Sequence, residues 1–289
     1  MFPAPFDYHR AGSVGEALDL LGRLGDDAML IAGGQTLVSM MKFRMVQPAA
    51  VVDIGRIEEL RGIREQGGSV RIGALTTHAE LAASDLVRSR CPLLTQAASQ
   101  IADPQVRNAG TVGGNIAHFD PGSDLPPALV AAGATVHLRG AGGERSVAAA
   151  EFFVGLMETL LTEREVIVAV EVPAFPGRTG SAYHKFEHPG SDYTLCGTAA
   201  VVTLDGGGKV ESARLCFTGV TATPYLATPV TEALAGGDGS DDVIAKAVAD
   251  HLTIPDPIGD RFASASYRAA TAKEFARRTL IQARDAARG

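Results

Sequence analysis

The chain has 289 residues, is 46% hydrophobic and carries a formal net charge of −7, a size that suits roughly two ordinary domains with real cores. Its 26 Lys and Arg residues are scattered rather than clustered, which argues against a nucleic-acid surface. There is no run of eighteen apolar residues to span a membrane, and the N-terminus MFPAPFDYHR lacks a signal-peptide core, so a cytoplasmic chain is expected.

In chain order, Ser13-Val14-Gly15-Glu16 has the pattern of a helix capping box. Val14, Ala17, Leu18, Leu21 and Leu24 continue it at helical spacing until Gly25-Asp26-Asp27. Residues 28–32 (AMLIA) predict a short buried strand that ends in Gly33-Gly34-Gln35-Thr36. A helix over 37–43 and a strand over 51–54 follow. Strand, glycine-rich turn and helix in succession present free backbone N–H groups and a positive helix end to an anion such as a pyrophosphate. The spacing is not GxGxxG and no Walker lysine follows, so a plain tight turn is an equal reading here.

Residues 69–74 alternate as a strand, Thr77-His78-Ala79-Glu80 opens a second capping box, and 92–101 reads as a helix. That helix leads into residues 101–127, IADPQVRNAGTVGGNIAHFDPGSDLPP, which have the look of a binding loop. Two polar turns flank Gly113-Gly114, a pair that admits φ > 0 and lets backbone approach a ligand with no Cβ in the way. Thr111 and Asn115 add a hydroxyl and an amide at either end, although glycine-rich structural turns are common. A helix over 128–132 ends at Gly133, and residues 134–139 and 165–172 alternate, predicting a largely antiparallel sheet after the first α/β unit.

Residues 173–180 (PAFPGRTG) are the best linker. Beyond them lie strands over 181–187, 198–204 and 210–217, the last two joined by Asp205-Gly206-Gly207-Gly208 as a hairpin, then helices over 241–251 and from 264 to about 287. The fold class is α+β. A first domain, 1–176, comprises a small α/β unit (about 1–55) and a mixed or antiparallel-sheet unit (56–176). A second domain, 177–289, combines a small antiparallel sheet with helices.

Cys91, Cys196 and Cys216 are odd in number, far apart and without a CxxC pair, so they predict reduced core thiols. They cannot make a four-thiolate cluster, and any iron–sulfur centre that works with this chain must sit on another one. His184 and His188 stand four apart, but in a strand that spacing is too long for one metal, and no HExxH occurs. No metal site is expected. His118 is a ligand contact or a turn-stabilising residue; His9, His78, His137 and His251 have no partners in sequence. The absence of GxSxG, of a Cys/His pair and of paired carboxylates argues against a self-contained hydrolase. Two glycine-rich cradles suit a cofactor that brings its own reactivity. Lys185 is either a solvated strand lysine or a cation beside an electron-accepting group, and Tyr193 a strand aromatic or a ring over a planar one. Asp124 is either an N-cap before Pro126 or an acceptor for a cofactor hydroxyl.

Four segments occur in an order that resembles one family: AGGQTL (32–37), DPQVRNAGTVGGNIAHFDPGSDLPPAL (103–129), KFEHPGSDYTLCG (185–197) and ASASYRAATAKEFARRTL (263–280). Across essentially the whole chain they resemble the FAD-binding medium subunit of the molybdenum hydroxylases, the xanthine dehydrogenase and aerobic carbon monoxide dehydrogenase family. The resemblance implies that Ile31, Ala32, Gly33, Gly34, Gln35, Thr36 and Leu37, with Gly110, Thr111, Gly113, Gly114 and Asn115, hold the FAD pyrophosphate and neighbouring groups. It implies that Asp124 also contacts FAD, that Ile167 and Lys185 lie by the isoalloxazine, and that Tyr193 stands near its reactive edge. No residue is then needed as acid or base. The same resemblance implies partners: a large subunit that oxidises the substrate at a molybdopterin cofactor, and a small subunit with two [2Fe–2S] clusters, assembled as a dimer of heterotrimers. Glu187-His188 replace a basic residue often found after the KF pair, and the cysteine insertion of the hydroxybenzoyl-CoA reductase branch is absent. The competing expectations are a free-standing flavin oxidoreductase, which would need a general base of its own, and a non-catalytic assembly protein.

Overall fold

A computed structural model describes residues 2–289. The first unit contains β1 (Asp7–Arg10), α1 (Val14–Leu24), β2 (Ala28–Ile31), α2 (Leu37–Lys42) and β3 (Ala50–Asp53), its strands forming a parallel sheet in the order β1-β3-β2. Helix α1 starts at Ser13, whose hydroxyl accepts from the Glu16 N–H, while the Glu16 carboxylate reaches back to the N–H of Gly12 rather than Ser13. Val14, Ala17, Leu20 and Leu21 are its buried face. The short, exposed edge strand β1 carries no apolar pattern and was not expected from the sequence.

The second unit is a five-stranded antiparallel sheet. It uses β4 (Ile63–Gln66), β5 (Ser69–Gly73), β6 (Thr135–Gly140), β7 (Gly143–Ala148) and, after the small hairpin of β8 (Phe153–Gly155) and β9 (Glu158–Thr159), β10 (Glu165–Pro173). The order is β4-β5-β10-β6-β7. Helices α3 (His78–Ala83), α4 (Asp85–Arg90), α5 (Pro92–Ser99), α6 (Pro104–Ala109), α7 (Val112–His118), α8 (Leu125–Ala131) and α9 (Ala149–Phe152) fill the connections. Central strand β10 is buried on both faces. Val166 and Val168 join the core of the first unit beside Val14 and Leu21, whereas Ile167, Val170 and Val172 join the core under α5, α7 and α8. Its near-continuous apolar run follows from that double burial.

In the third unit, β11 (Thr179–Glu187), β12 (Thr194–Leu204), β13 (Val210–Thr218) and β14 (Tyr225–Leu226) form an antiparallel sheet with α10 (Thr228–Leu234), α11 (Asp241–His251) and α12 (Ala265–Arg288). The 24-residue α12 lies on β11 and β12 through Ala272, Ala276 and Ala283. A Cβ at Gly180 would overlap the Ala283 carbonyl oxygen, so glycine sets how closely helix and sheet pack. The opposite sheet face sends Tyr183, Ala199, Val201 and Cys216 into the core of the second unit. All three cysteines are buried and unpaired, and burial pushes the Cys91 and Cys196 thiols up to about 12. They are packing residues.

Candidate functional site

Between the β2–α2 turn and the α6–α7 segment opens a cleft of about 770 Å³, within the ~300–1,000 Å³ usual for small-molecule and cofactor sites. Of the residues singled out in the sequence, Ile31 to Leu37, Gly110, Thr111, Gly113, Gly114, Asn115, Ile167 and Tyr193 all line it, as does His118.

On one lip the chain leaves β2 and turns at Gly34, φ +70°, into α2. The Thr36 side chain caps no amide of α2. A Cβ on Gly33 would overlap the carbonyl oxygen of Ala109 on the opposite side, so this glycine sets the distance between the two lips.

The other lip differs from the expected irregular loop. Residues 104–109 and 112–118 are helical, and Gly113-Gly114 form the first turn of α7 with no positive φ. The Thr111 hydroxyl caps that turn by accepting from the Gly114 N–H at 3.1 Å. Glycine is required here by proximity: a Cβ at Gly113 would stand 2.7 Å from the Ala74 Cβ, and one at Gly114 2.9 Å from the Thr111 Oγ1. The segment is bound to the stretch between β5 and α3 by three backbone hydrogen bonds, Gly113 N–H to Ala74 O, Val112 N–H to Thr76 O and His78 N–H, at the start of α3, to Gly110 O.

Two polar atoms in the wall of this cleft have no partner among the described residues: Asn115 Oδ1 and His78 Nδ1, both buried. Buried polar atoms without partners are uncommon in native proteins and call for an explanation. Together with a lining dominated by aliphatic side chains, they fit a long ligand with apolar portions and a polar middle.

Asp124 and Lys185 stand behind the wall. Asp124 follows the lining residue Ser123, and Lys185 bonds to Gln100, the neighbour of the lining residue Ile101, but neither of their own side chains lines the cleft. Asp124 opens α8 without capping it, which corrects the N-cap reading. Its carboxylate instead accepts from the Tyr183 hydroxyl at 2.6 Å, the Thr194 hydroxyl at 3.0 Å and the Lys185 ammonium at 3.1 Å. Lys185 also donates to the Gln100 carbonyl at 2.9 Å, and with a side chain only 3% exposed it is not a solvated strand lysine. Burial pushes the Asp124 carboxyl up, while Lys185 and the two hydroxyls pull it back; burial and then the Asp124 charge push the Tyr183 phenol well above its ordinary value, so it remains a donor. Tyr193 precedes β12, is 44% exposed and rests on Gly122, where a Cβ would come within 2.8 Å of its ring. His184 and His188 turn to separate partners, the Thr279 hydroxyl and the Phe262 ring.

Residues 4–175 match the family model described as the FAD binding domain in molybdopterin dehydrogenase, and residues 181–283 that of the CO dehydrogenase flavoprotein C-terminal domain. The chain belongs to the FAD-binding medium chains of the molybdenum hydroxylases. It is similar to the carbon monoxide dehydrogenase medium chain of Hydrogenophaga pseudoflava, 44% identical over 280 residues that make up 97% of each chain. The glyceraldehyde dehydrogenase medium chain of Sulfolobus acidocaldarius is 36% identical over 93% of this chain and 94% of that one. Among solved structures, reconstituted CO dehydrogenase from Oligotropha carboxidovorans matches with a TM-score of 0.93 at 38% identity, over 99% of this chain and 100% of that chain. The α+β architecture and the family expected from sequence both stand, and the chain is the FAD-carrying medium subunit of a multi-subunit molybdopterin-dependent oxidoreductase. What sequence reasoning missed in the cleft is His78, which lies 32 positions from the Gly110 it touches, and an apolar rim that includes Met29, Phe43, Met45 and Met157.

Proposed function

We propose that FAD lies along the cleft with its pyrophosphate between the 33–36 turn and the Thr111–Asn115 segment, and its isoalloxazine toward Ile167 and Tyr193. Asp124 and Lys185 support that end from behind. The observation that carries the reading is the facing of two glycine cradles across one cleft, held at close range by Gly33 on the Ala109 carbonyl. Bound there, FAD supplies an electron carrier able to link one-electron and two-electron chemistry. The chain's own residues bind, orient and exclude water. The backbone amides of the 33–36 turn suit an anion, while those of residues 112–115 are spent on Thr76, Ala74 and Thr111 and hold the opposite lip in place. The Asp124–Lys185–Tyr183–Thr194 network fixes the wall on which Tyr193 stands. Lys185 is held in a buried ion pair with Asp124 and a hydrogen bond to the Gln100 carbonyl, and the Tyr183 proton is already donated to Asp124, so neither side chain is placed to act as an acid or base on an organic substrate.

In this reading electrons arrive from a small [2Fe–2S] subunit, the substrate is oxidised at a molybdopterin cofactor on a large subunit, and an external acceptor takes the electrons onward. The assembly is a cytoplasmic dimer of heterotrimers, and the chain divides at the 173–180 linker into a flavin domain (1–176) and a C-terminal domain (177–289). The relatives' names span carbon monoxide, glyceraldehyde and 6-hydroxypseudooxynicotine, which supports a medium chain that does not itself select the substrate. The test is an absorption spectrum of the chain alone and co-purified with its partners. Flavin bands, joined by broad iron–sulfur absorption only in the co-purified sample, are expected. Turnover of an organic substrate by the single chain would overturn the relay, and absence of flavin from both samples would overturn the site.

A further inference from the structure

We propose that His78 is a cofactor-binding residue, a neutral imidazole that donates a hydrogen bond from Nε2 to an oxygen in the polar middle of FAD. The inference rests on the flavin reading above and adds to it a side chain for which the sequence offered no role.

The backbone of His78 is fixed before its side chain is considered. Thr77 caps α3 in a full capping box with Glu80, forms a bridge with Thr111, and the His78 N–H donates to the Gly110 carbonyl at 3.0 Å. His78 is therefore locked to the same segment that supplies the second glycine cradle. Its ring lies close enough to Gly110 that a Cβ there would stand 2.9 Å from Cδ2 and 3.1 Å from Nε2. The residue is 3% exposed and lines the cleft.

The chemistry of the ring then follows from its surroundings. Burial, and secondarily the Arg107 guanidinium, push the imidazole down to about 4, so at neutral pH it carries one proton on two nitrogens. Nδ1 is buried without a partner among the described residues. It has nothing to receive a proton from it, whereas Nε2 is not among the buried partnerless atoms and stands at the Gly110 wall of the cleft, so the proton is placed on Nε2, where an acceptor in the cleft can receive it. A single donor held there, with no counter-charge of its own, matches an oxygen acceptor, and the ribityl hydroxyls and pyrophosphate of FAD are rich in them. A purely structural histidine would be expected to satisfy at least one ring nitrogen from the protein.

The test uses the full chain in complex with its partner subunits, stripped of flavin and titrated with FAD while flavin fluorescence is followed. Three variants are compared: His78→Leu, His78→Asn and His78→Gln. A glutamine amide reaches the Nε2 position and an asparagine amide the Nδ1 position. His78→Leu and His78→Asn are expected to weaken FAD binding roughly ten- to a hundredfold, the range for one hydrogen bond to a polar or charged group, with His78→Gln within a few-fold of the parent. Thermal melts of the stripped complexes report folding separately. Equal affinity in parent and His78→Leu would overturn the proposal, as would an equal loss in all three variants, which would make the ring a packing element. A parent complex that takes up no FAD would instead overturn the flavin reading itself.

Discussion

At Gly34 the chain turns through φ +70°, and the neighbouring Gly33 has no room for a Cβ against the Ala109 carbonyl. At Gly113 and Gly114 the backbone is ordinary helix, with no positive φ, and each glycine is required only because Ala74 and Thr111 come close. Two Gly-Gly pairs that read alike as letters thus answer to different physics. In the first, one glycine supplies conformation and the other separation between the lips; in the second, both supply proximity inside a capped helix turn. The substitutions that follow separate these causes.

The largest effect is expected at Gly33. An alanine in its place could be accommodated only by moving the β2–α2 turn away from residues 109–110, and both sides of that contact are backbone. Gly33→Ala should cost at or above the upper end of the ~1–3 kcal/mol typical of overpacking and should open the cleft. Denaturant unfolding and flavin content after purification measure the two consequences. Parent-like values for both would mean the lips are not held at this distance.

The second cradle carries a titratable neighbour, His78, and among the described residues the first has none in contact with its glycines. Because His78 is depressed from 6.5 to about 4, the unfolded chain binds its proton more readily than the folded one. The stability contributed by the neutral ring is complete above about pH 6.5 and is lost as pH falls toward 4, amounting to about 2–3 kcal/mol by pH 4.5. His78→Gln should flatten that part of the curve. Denaturation midpoints of the flavin-free protein at pH 7 and 4.5, compared between parent and variant, test this; identical pH dependence would remove His78 as the cause.

This difference between the cradles also marks where sequence reasoning stops. Helix α1 was legible because Ser13 and the apolar spacing after it are local, and α11 and the 205–208 hairpin for the same reason. Helices α6 and α7 were hidden because Pro104, Asn108, Gly110, Gly113 and Gly114 read as turn residues, and a cap at Thr111 plus tertiary hydrogen bonds to residues 74–78 override those preferences. The lining residues of the two glycine turns could be read off as sets, since each turn is contiguous in sequence. The buried Asp124–Lys185 pair was not legible, since its members are 61 positions apart and nothing local distinguishes a buried lysine from a solvated one.

An asparagine series distinguishes conformation from proximity directly. Asn tolerates the left-handed region better than Ala does, so at Gly34 the Ala variant should lose about 1–2 kcal/mol and the Asn variant less. At Gly113, where space against Ala74 is limiting, Asn should be worse than Ala. The same order at both positions, measured by urea midpoints, would show that one cause serves both cradles.

The smallest effect concerns the cap. An alanine at Gly114 brings its Cβ within 2.9 Å of Thr111 Oγ1, the oxygen that accepts from the Gly114 N–H. If the substitution acts by displacing that hydroxyl, Gly114→Ala should cost about 1 kcal/mol, the worth of an N-cap, and Thr111→Ala a similar amount. The double variant should then cost much less than the sum, because the second change removes what the first has already displaced. Additive losses in a double-mutant cycle would mean that Gly114 is limited by something other than Thr111. A flavin-affinity loss for Gly114→Ala that persists in the Thr111→Ala background would then identify that limit as the cofactor itself.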